Sequence, residues 1–146
     1  MATKPRPKGE PFSVRFSAST DRAIEAEAKR LKRSKSSVVE ALAEEAMRTR
    51  RFPGIGFQGD DAGRRAVVVG TGFDVWELIE TLQSYGSAKA VVREFPLVDD
   101  RHVRIAQAYH EAYPEEIDEA IAENNRPIEE RLELYPFIQP PLSYRR

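Results

Sequence analysis

A short segment near the N-terminus alternates large apolar residues with polar ones, which is the pattern of a β-strand. No partner strand follows it nearby, so its backbone N–H and C=O groups would stay unpaired in a single chain. Pairing with the same strand of a second chain would satisfy these backbone groups. The apolar positions are Phe12, Val14 and Phe16, and the polar positions are Ser13, Arg15 and Ser17.

Two helices are predicted after this strand. Ser17 or Ser19 can cap the first helix, which carries a narrow apolar stripe of Ile24, Ala28 and Leu31. Ser34 can cap the second helix, which ends in a basic run before Phe52-Pro53-Gly54. We expect the second helix to turn these residues inward: Val38, Val39, Leu42, Ala43, Ala46 and Met47.

Charge divides the chain into two parts. Residues 1–51 hold 13 Lys and Arg against 7 Asp and Glu, whereas residues 52–146 hold 10 against 17. The basic part suits nucleic acid and the acidic part suits a protein partner, although a chance imbalance is the alternative. There is no cysteine and no apolar run of about 18 residues, so we expect a cytoplasmic protein without disulfides or a membrane span.

The middle of the chain changes character. Segments 55–57 and 66–69 have strand patterns separated by a glycine-rich turn, which predicts a hairpin. Two short helices and a longer one follow, each set off by glycine or proline, and together with the hairpin they predict a winged helix-turn-helix core. Their expected capping residues are Asp74, Ser87 and Asp99 or Asp100, with Gly86 ending the first helix.

The fold class that we expect is mostly α with short β. The predicted segments are a disordered basic arm (1–10), a DNA-binding domain (11–51), a winged helix-turn-helix-like domain (54–123) and a partner-binding tail (124–146). The tail can form a turn or two of helix from Ile128 before three prolines interrupt it. Its candidate partner-binding residues are Tyr135, Phe137, Ile138, Leu142, Tyr144, Arg145 and Arg146. The alternative is a tail that packs on its own domain or on a dimer mate.

The order strand, helix, short turn, helix over residues 12–47 resembles the ribbon-helix-helix (Arc/MetJ/CopG-like) DNA-binding fold. The resemblance implies a homodimer whose two-stranded ribbon lies in the major groove. Ser13, Arg15 and Ser17 would then contact bases, although an ordinary solvated strand face is the alternative. Phosphate contacts would come from the start of the second helix, at Lys32, Arg33, Ser34, Lys35 and Ser36.

A second resemblance covers about residues 54–121. Gly70-Thr71-Gly72-Phe73 after the hairpin, Tyr85-Gly86, and then Glu94-Phe95-Pro96-Leu97 look like a small domain family of unknown function. Such domains commonly occur in antitoxins encoded beside PIN-like ribonuclease toxins. Gly72 stands where that family usually has an arginine, which puts the role of that arginine in doubt here.

Together the two resemblances imply a type II antitoxin similar to the VapB class. It would bind its operator in double-stranded DNA as a homodimer and neutralise a cognate PIN-like ribonuclease toxin through its C-terminal region. A stand-alone ribbon-helix-helix transcriptional regulator is the alternative. We expect neither catalysis nor a cofactor, because His102 and His110 lack a third ligand for a metal.

Overall fold

The computed structural model describes residues 7–138, and this part of the chain is mostly helical with one small antiparallel sheet. The chain divides into an N-terminal unit up to Ala43 and a C-terminal unit from Glu44, so the division falls within the second helix. Over the described range, no helix combines the length and the apolar character needed to cross a membrane.

The N-terminal unit contains helix α1 (Ala18–Leu31) and the beginning of helix α2 (Lys35–Arg51). Both predicted caps are confirmed. The hydroxyl oxygen of Ser17 accepts a hydrogen bond from the Thr20 amide at 3.3 Å, and that of Ser34 accepts one from the Ser37 amide at 3.1 Å. Serine favours both positions because its side chain satisfies an amide that has no partner in the first turn.

The core of the N-terminal unit is very small. Its buried residues are Ile24, Ala28 and Val38, with Leu31 and Val39 packed against them. The expectation that the next apolar residues of α2 face inward is wrong for the single chain, because they are exposed to solvent. These exposed residues are Leu42, Ala43, Ala46 and Met47.

The predicted N-terminal strand does not form in the single chain. Residues 7–17 have no helix or strand, and Phe12 is 84% exposed. Val14 and Phe16 are exposed as well. The physical reason is that a strand needs a neighbour to satisfy its backbone groups, and the described chain offers none to this segment.

A three-stranded antiparallel sheet opens the C-terminal unit, in the order β1 (Ile55–Gln58), β2 (Arg65–Val68) and β3 (Phe73–Asp74). The hairpin prediction is confirmed, with Ile55 opposite Val68 and Gln58 opposite Arg65. The third strand was not predicted, because two residues are too few to show an alternating pattern.

The turn between β2 and β3 is held by one buried polar side chain. The Thr71 hydroxyl donates to the Val68 carbonyl at 2.7 Å and accepts from the Phe73 amide at 3.1 Å. Gly70 and Gly72 lie on either side with φ of 85° and 76°. Because side chains disfavour this left-handed region, a glycine suits position 72 here better than an arginine would.

Up to Ile138, where the described residues end, five helices complete the C-terminal unit, and the first of them lies at its centre. This helix packs against the sheet and against the next three helices, which encloses the larger core of the chain. The predicted caps at Ser87 and Asp99 and the glycine stop at Gly86 are confirmed. The helices are α3 (Val75–Tyr85), α4 (Ala88–Glu94), α5 (Asp100–Ala112), α6 (Pro114–Asn124) and α7 (Ile128–Leu134).

Candidate nucleic-acid interface

The residues predicted to contact bases are all exposed in the single chain. Ser13 and Arg15 have no hydrogen bond or ion pair within residues 7–138, so both are available to a ligand. Ser17 differs, because its hydroxyl caps α1 and also donates to the Thr20 hydroxyl at 2.9 Å. A base contact by Ser17 would therefore compete with the cap, whereas a contact by Arg15 would cost no interaction within the chain.

The predicted phosphate site lies at the turn between α1 and α2. Lys32 has φ of 53°, and its left-handed backbone ends α1. Ser34 caps α2, so the amides of Lys35 and Ser36 lie in the first turn, where a helix provides no carbonyl partner for them. Amides in this position, with the positive end of the helix dipole, favour an anion.

The cations around this turn differ in how they are engaged. Lys35 forms ion pairs with Asp21 and Glu25, and the hydrogen bond to Asp21 is the largest cause that raises the pKa of Lys35. Arg33 donates from Nε to the Ser37 hydroxyl at 3.0 Å. Lys32 is exposed and has no ion pair with any residue in the described range. Lys32 is therefore a cation at this turn that could contact a phosphate without first breaking an ion pair.

The predicted partner-binding tail is only partly described. Tyr135, Phe137 and Ile138 are exposed, and Phe137 reaches 80%. The rings of Tyr135 and Phe137 meet edge to face with centroids 6.0 Å apart. The other four predicted residues lie outside the described residues; they are Leu142, Tyr144, Arg145 and Arg146.

The role of Arg48 is not visible in the sequence, where it looks like any member of the basic run that ends α2. Its side chain is only 15% exposed and lies in the C-terminal unit. Its Nη1 donates to the Tyr109 hydroxyl at 2.8 Å and to the Glu116 carboxylate at 2.7 Å. Its Nη2 donates to Glu44 at 2.5 Å, and its guanidinium carbon lies 3.9 Å from the centre of the Tyr113 ring.

These contacts fix the charge state of the cluster around Arg48. Burial disfavours the charged form of Arg48, but hydrogen bonds to Glu116, Glu44 and Tyr109 outweigh it and raise the Arg48 pKa above its usual value. Burial is also the main cause that raises the pKa of Tyr109. Arg48 is therefore charged and already paired, which makes it a structural cation rather than a DNA contact.

The two histidines have local structural roles. Nδ1 of His102 accepts a hydrogen bond from the Asp99 amide at 3.1 Å at the start of α5. Nε2 of His110 lies 2.7 Å from the Asp118 carboxylate. In the part of the chain that the structure describes, no group of three or more histidine and acidic side chains is placed to hold a metal ion.

A scan against protein-family models, a search of curated proteins and a search of solved structures each found nothing that matches this chain.

Proposed function

We propose that this chain is a type II antitoxin, which binds operator DNA as a homodimer through a ribbon-helix-helix N-terminal unit and neutralises a PIN-like ribonuclease through its C-terminal region. The observation that carries the proposal is the imbalance between core and exposed apolar surface in the N-terminal unit. Within residues 7–43, that unit buries three residues, yet it exposes four large apolar side chains, which are Phe12, Val14, Phe16 and Leu42.

So small a buried core cannot stabilise a unit of this size on its own. The N-terminal unit, Met1–Ala43, is close to the size of roughly 40 residues below which a domain usually needs disulfides, a metal or a partner chain, and this chain has no cysteine. A second copy supplies the missing partner, because two segments 12–16 can pair as an antiparallel ribbon. The apolar side of that ribbon would cover the exposed face of α2 around Leu42.

The opposite side of the ribbon would present Ser13 and Arg15 to DNA. A two-stranded ribbon fits the major groove, where an arginine donates two hydrogen bonds to O6 and N7 of guanine. The first amides of α2, together with Lys32, would hold a phosphate next to the groove. Lys35 could join them only by leaving Asp21 and Glu25.

The C-terminal region suits a basic protein partner. Residues 114–134 carry eight Asp and Glu against two Lys and Arg, so α6 and α7 are strongly acidic. A ribonuclease needs cations on the face that holds RNA phosphates, and acidic helices complement such a face. Arg145 and Arg146 add the opposite charge, which could pair with metal-binding carboxylates in the nuclease active site.

The DNA half of the proposal is tested by selection of sites from a random duplex pool with the full chain, followed by titration of the selected site. We expect a palindromic site, one dimer or more bound to it, and affinity that falls with salt. Leu42→Lys, which places a charge on the exposed face of α2, should abolish the dimer and the binding together. A chain that stays monomeric and binds no duplex would disprove this half.

The toxin half is tested with the product of the reading frame next to the gene for this chain. We expect the two proteins to co-purify and the ribonuclease activity of the partner to disappear. The variant Arg145→Ala/Arg146→Ala should lose inhibition but keep DNA binding, because the changes lie far along the sequence from the N-terminal unit. DNA binding without any inhibition would instead favour a stand-alone transcriptional regulator.

A further inference from the structure

Helices α3, α4 and α5 of the C-terminal unit pack together around a fixed turn. Helix α3 packs against both α4 and α5, and α4 packs against α5. The turn, residues 95–99, is held because the Val98 amide donates to the Phe95 carbonyl at 3.0 Å and the Val98 side chain is buried in the core. This order of elements is like that of a helix-turn-helix motif, in which a turn of roughly three to four residues joins the two helices.

The exposed face of α5 carries side chains of the kinds that read base edges. Three polar residues recur at every third position and, at about 100° per residue, they fall within an arc of about 120°. All three are exposed, and they are Arg101, Arg104 and Gln107. The buried residues of α5 lie on its other side, and they are Val103, Ala106 and Tyr109. Arginine can form two hydrogen bonds with guanine, and glutamine can form two with adenine.

The three side chains on this face are available to a ligand. Arg104 and Gln107 have no side-chain hydrogen bond or ion pair within residues 7–138. Arg101 comes no closer than 3.9 Å to the Asp99 carboxylate, and its side chain is 80% exposed. Because such an exposed pair contributes little stability, a contact with DNA would cost the chain little at any of these positions.

The two arginines of the hairpin differ in this respect. Arg64 donates to both carboxylate oxygens of Glu45, at 2.8 and 2.9 Å. Arg65 donates from Nε to Asp74 at 2.6 Å. The cations of the hairpin are therefore already paired within the chain, whereas those of α5 are not.

Helix α4 adds two cations before the turn. Lys89 and Arg93 are four residues apart, so they share one face of α4, opposite the buried Val91. Neither has an ion pair in the part of the chain that the structure describes. When a helix-turn-helix binds DNA, its first helix crosses the phosphate backbone, where cations of this kind pair with phosphate oxygens.

Charge is unevenly distributed along the C-terminal unit. Residues 87–107 hold four Lys and Arg against three Asp and Glu, whereas residues 108–134 hold two against nine. One of the three acids, Asp99, accepts the His102 amide at 2.9 Å as the cap of α5. Another, Asp100, is exposed, and an acidic side chain can accept a hydrogen bond from cytosine. The acidity is therefore concentrated after the first half of α5, which leaves the segment around the turn slightly basic.

We propose that α5 is a second DNA-reading element of this chain. Its exposed arginines and glutamine contact bases in the major groove, and the two cations of α4 contact neighbouring phosphates. This goes beyond the DNA binding assigned to the N-terminal unit, and it requires neither the ribbon nor the toxin. So few cations release few counterions, so α5 binds weakly by itself and its contribution is measured in the complex of the full chain.

The first test uses the absence of cysteine from the chain, because a single introduced cysteine can then carry an iron–EDTA probe that cleaves DNA. Glu111→Cys places the probe on the exposed face of α5, about 10 Å along the axis from Arg104. Glu119→Cys replaces another exposed glutamate, on α6, and is the matched control. Each labelled full-length chain is bound to the duplex selected from the random pool. We expect the probe on α5 to cleave a few neighbouring base pairs and the probe on α6 to cleave none.

The second test removes one base contact. Arg104→Ala should weaken binding of the full chain to the selected duplex about tenfold and relax the base preference at the positions that the α5 probe cleaves. Arg126→Ala removes the same charge between α6 and α7, where Arg126 pairs with Glu123, and should leave affinity and base preference unchanged. The positions relaxed by Arg104→Ala should differ from those relaxed by Arg15→Ala, because the two arginines lie in different units.

Several results would overturn the proposal. They are an Arg104→Ala chain with the affinity and base preference of the parent, equal cleavage by the two probes, and a full chain that binds no duplex. Equal competition by duplex RNA of the same sequence would do so as well, because the major groove of RNA is too deep and narrow to be read by side chains. If Arg15→Ala alone had no effect, the ribbon would fail and α5 would stand, so the two proposals can fail separately.

Discussion

Arg48 and Glu116 are joined twice, once directly and once through a tyrosine. Nη1 of Arg48 donates to one carboxylate oxygen of Glu116 at 2.7 Å, and the Tyr109 hydroxyl donates to the other at 2.9 Å. The same Nη1 also donates to the Tyr109 hydroxyl at 2.8 Å, which closes a ring of three hydrogen bonds. The ring connects the end of α2 to α5 and α6, so it ties the last turns of α2 into the C-terminal unit.

Arg48→Met should destabilise the chain by about 2 kcal/mol, because it leaves the Tyr109 hydroxyl and part of Glu116 without their cation. The loss is smaller than for a fully buried pair, since Glu116 is partly exposed. Methionine keeps an unbranched aliphatic side chain at this position but removes the guanidinium that lies over the Tyr113 ring, so the loss includes that contact. The measurement is the urea midpoint of unfolding at constant slope. Arg50→Met, at an exposed position of the same helix, is the control and should change stability by less than about 0.5 kcal/mol.

Arg15→Ala should weaken binding to the selected DNA site by about 1–3 kcal/mol and relax the base preference at one position of each half-site. The reason is that a bidentate arginine contact distinguishes guanine from other bases. Arg22→Ala removes the same charge from an exposed position of α1 and should weaken all sequences alike. Titrations against the selected site and its single-base variants separate the two effects. If both variants lost affinity uniformly, the strand would not contact bases.

Asp21→Asn should strengthen DNA binding, because it releases Lys35 from its hydrogen-bonded ion pair beside the predicted phosphate site. One additional phosphate contact steepens the dependence of log K on log salt by about 0.9. Glu27→Gln removes the same charge, but it breaks a pair with Arg30 on α1 instead and should leave the slope unchanged. The slopes are measured by titration at several salt concentrations. Equal slopes for the two variants would show that Lys35 stays away from the phosphate.

Local signals in the sequence predicted most of the secondary structure. Serine at positions 17, 34 and 87 and glycine at position 86 mark helix ends through interactions within four residues of each. Such interactions depend little on the rest of the fold, so they can be predicted from a single sequence. The hairpin could be predicted for the same reason, because only one short turn separates its two strands.

The features that sequence analysis missed depend on contacts between distant residues. Arg48 meets Tyr109 across 61 positions and Glu116 across 68, and nothing in a basic run at a helix end distinguishes one arginine from the next. The rings of Phe73 and Phe95 come together only because α3 and α4 fold beside the sheet. Leu42 lies at a position where the helical pattern predicts burial, yet it is 50% exposed. The pattern cannot distinguish burial within one chain from burial against a second chain.

Protonation of Asp99 should lower the stability of the C-terminal unit in acid. The His102 amide donates to its carboxylate at 2.9 Å, and this bond lowers the Asp99 pKa below its ordinary 3.8. A lowered pKa in the folded state adds stability that is present above the unfolded value and is lost as pH falls through the folded one. Asp99→Asn keeps a capping oxygen but cannot titrate, so the fall in melting temperature between about pH 5 and pH 3 should be smaller than in the parent chain. Asp100→Asn is the matched control at the next residue, and a parent-like fall in the Asp99 variant would show that this cap does not contribute to the acid sensitivity.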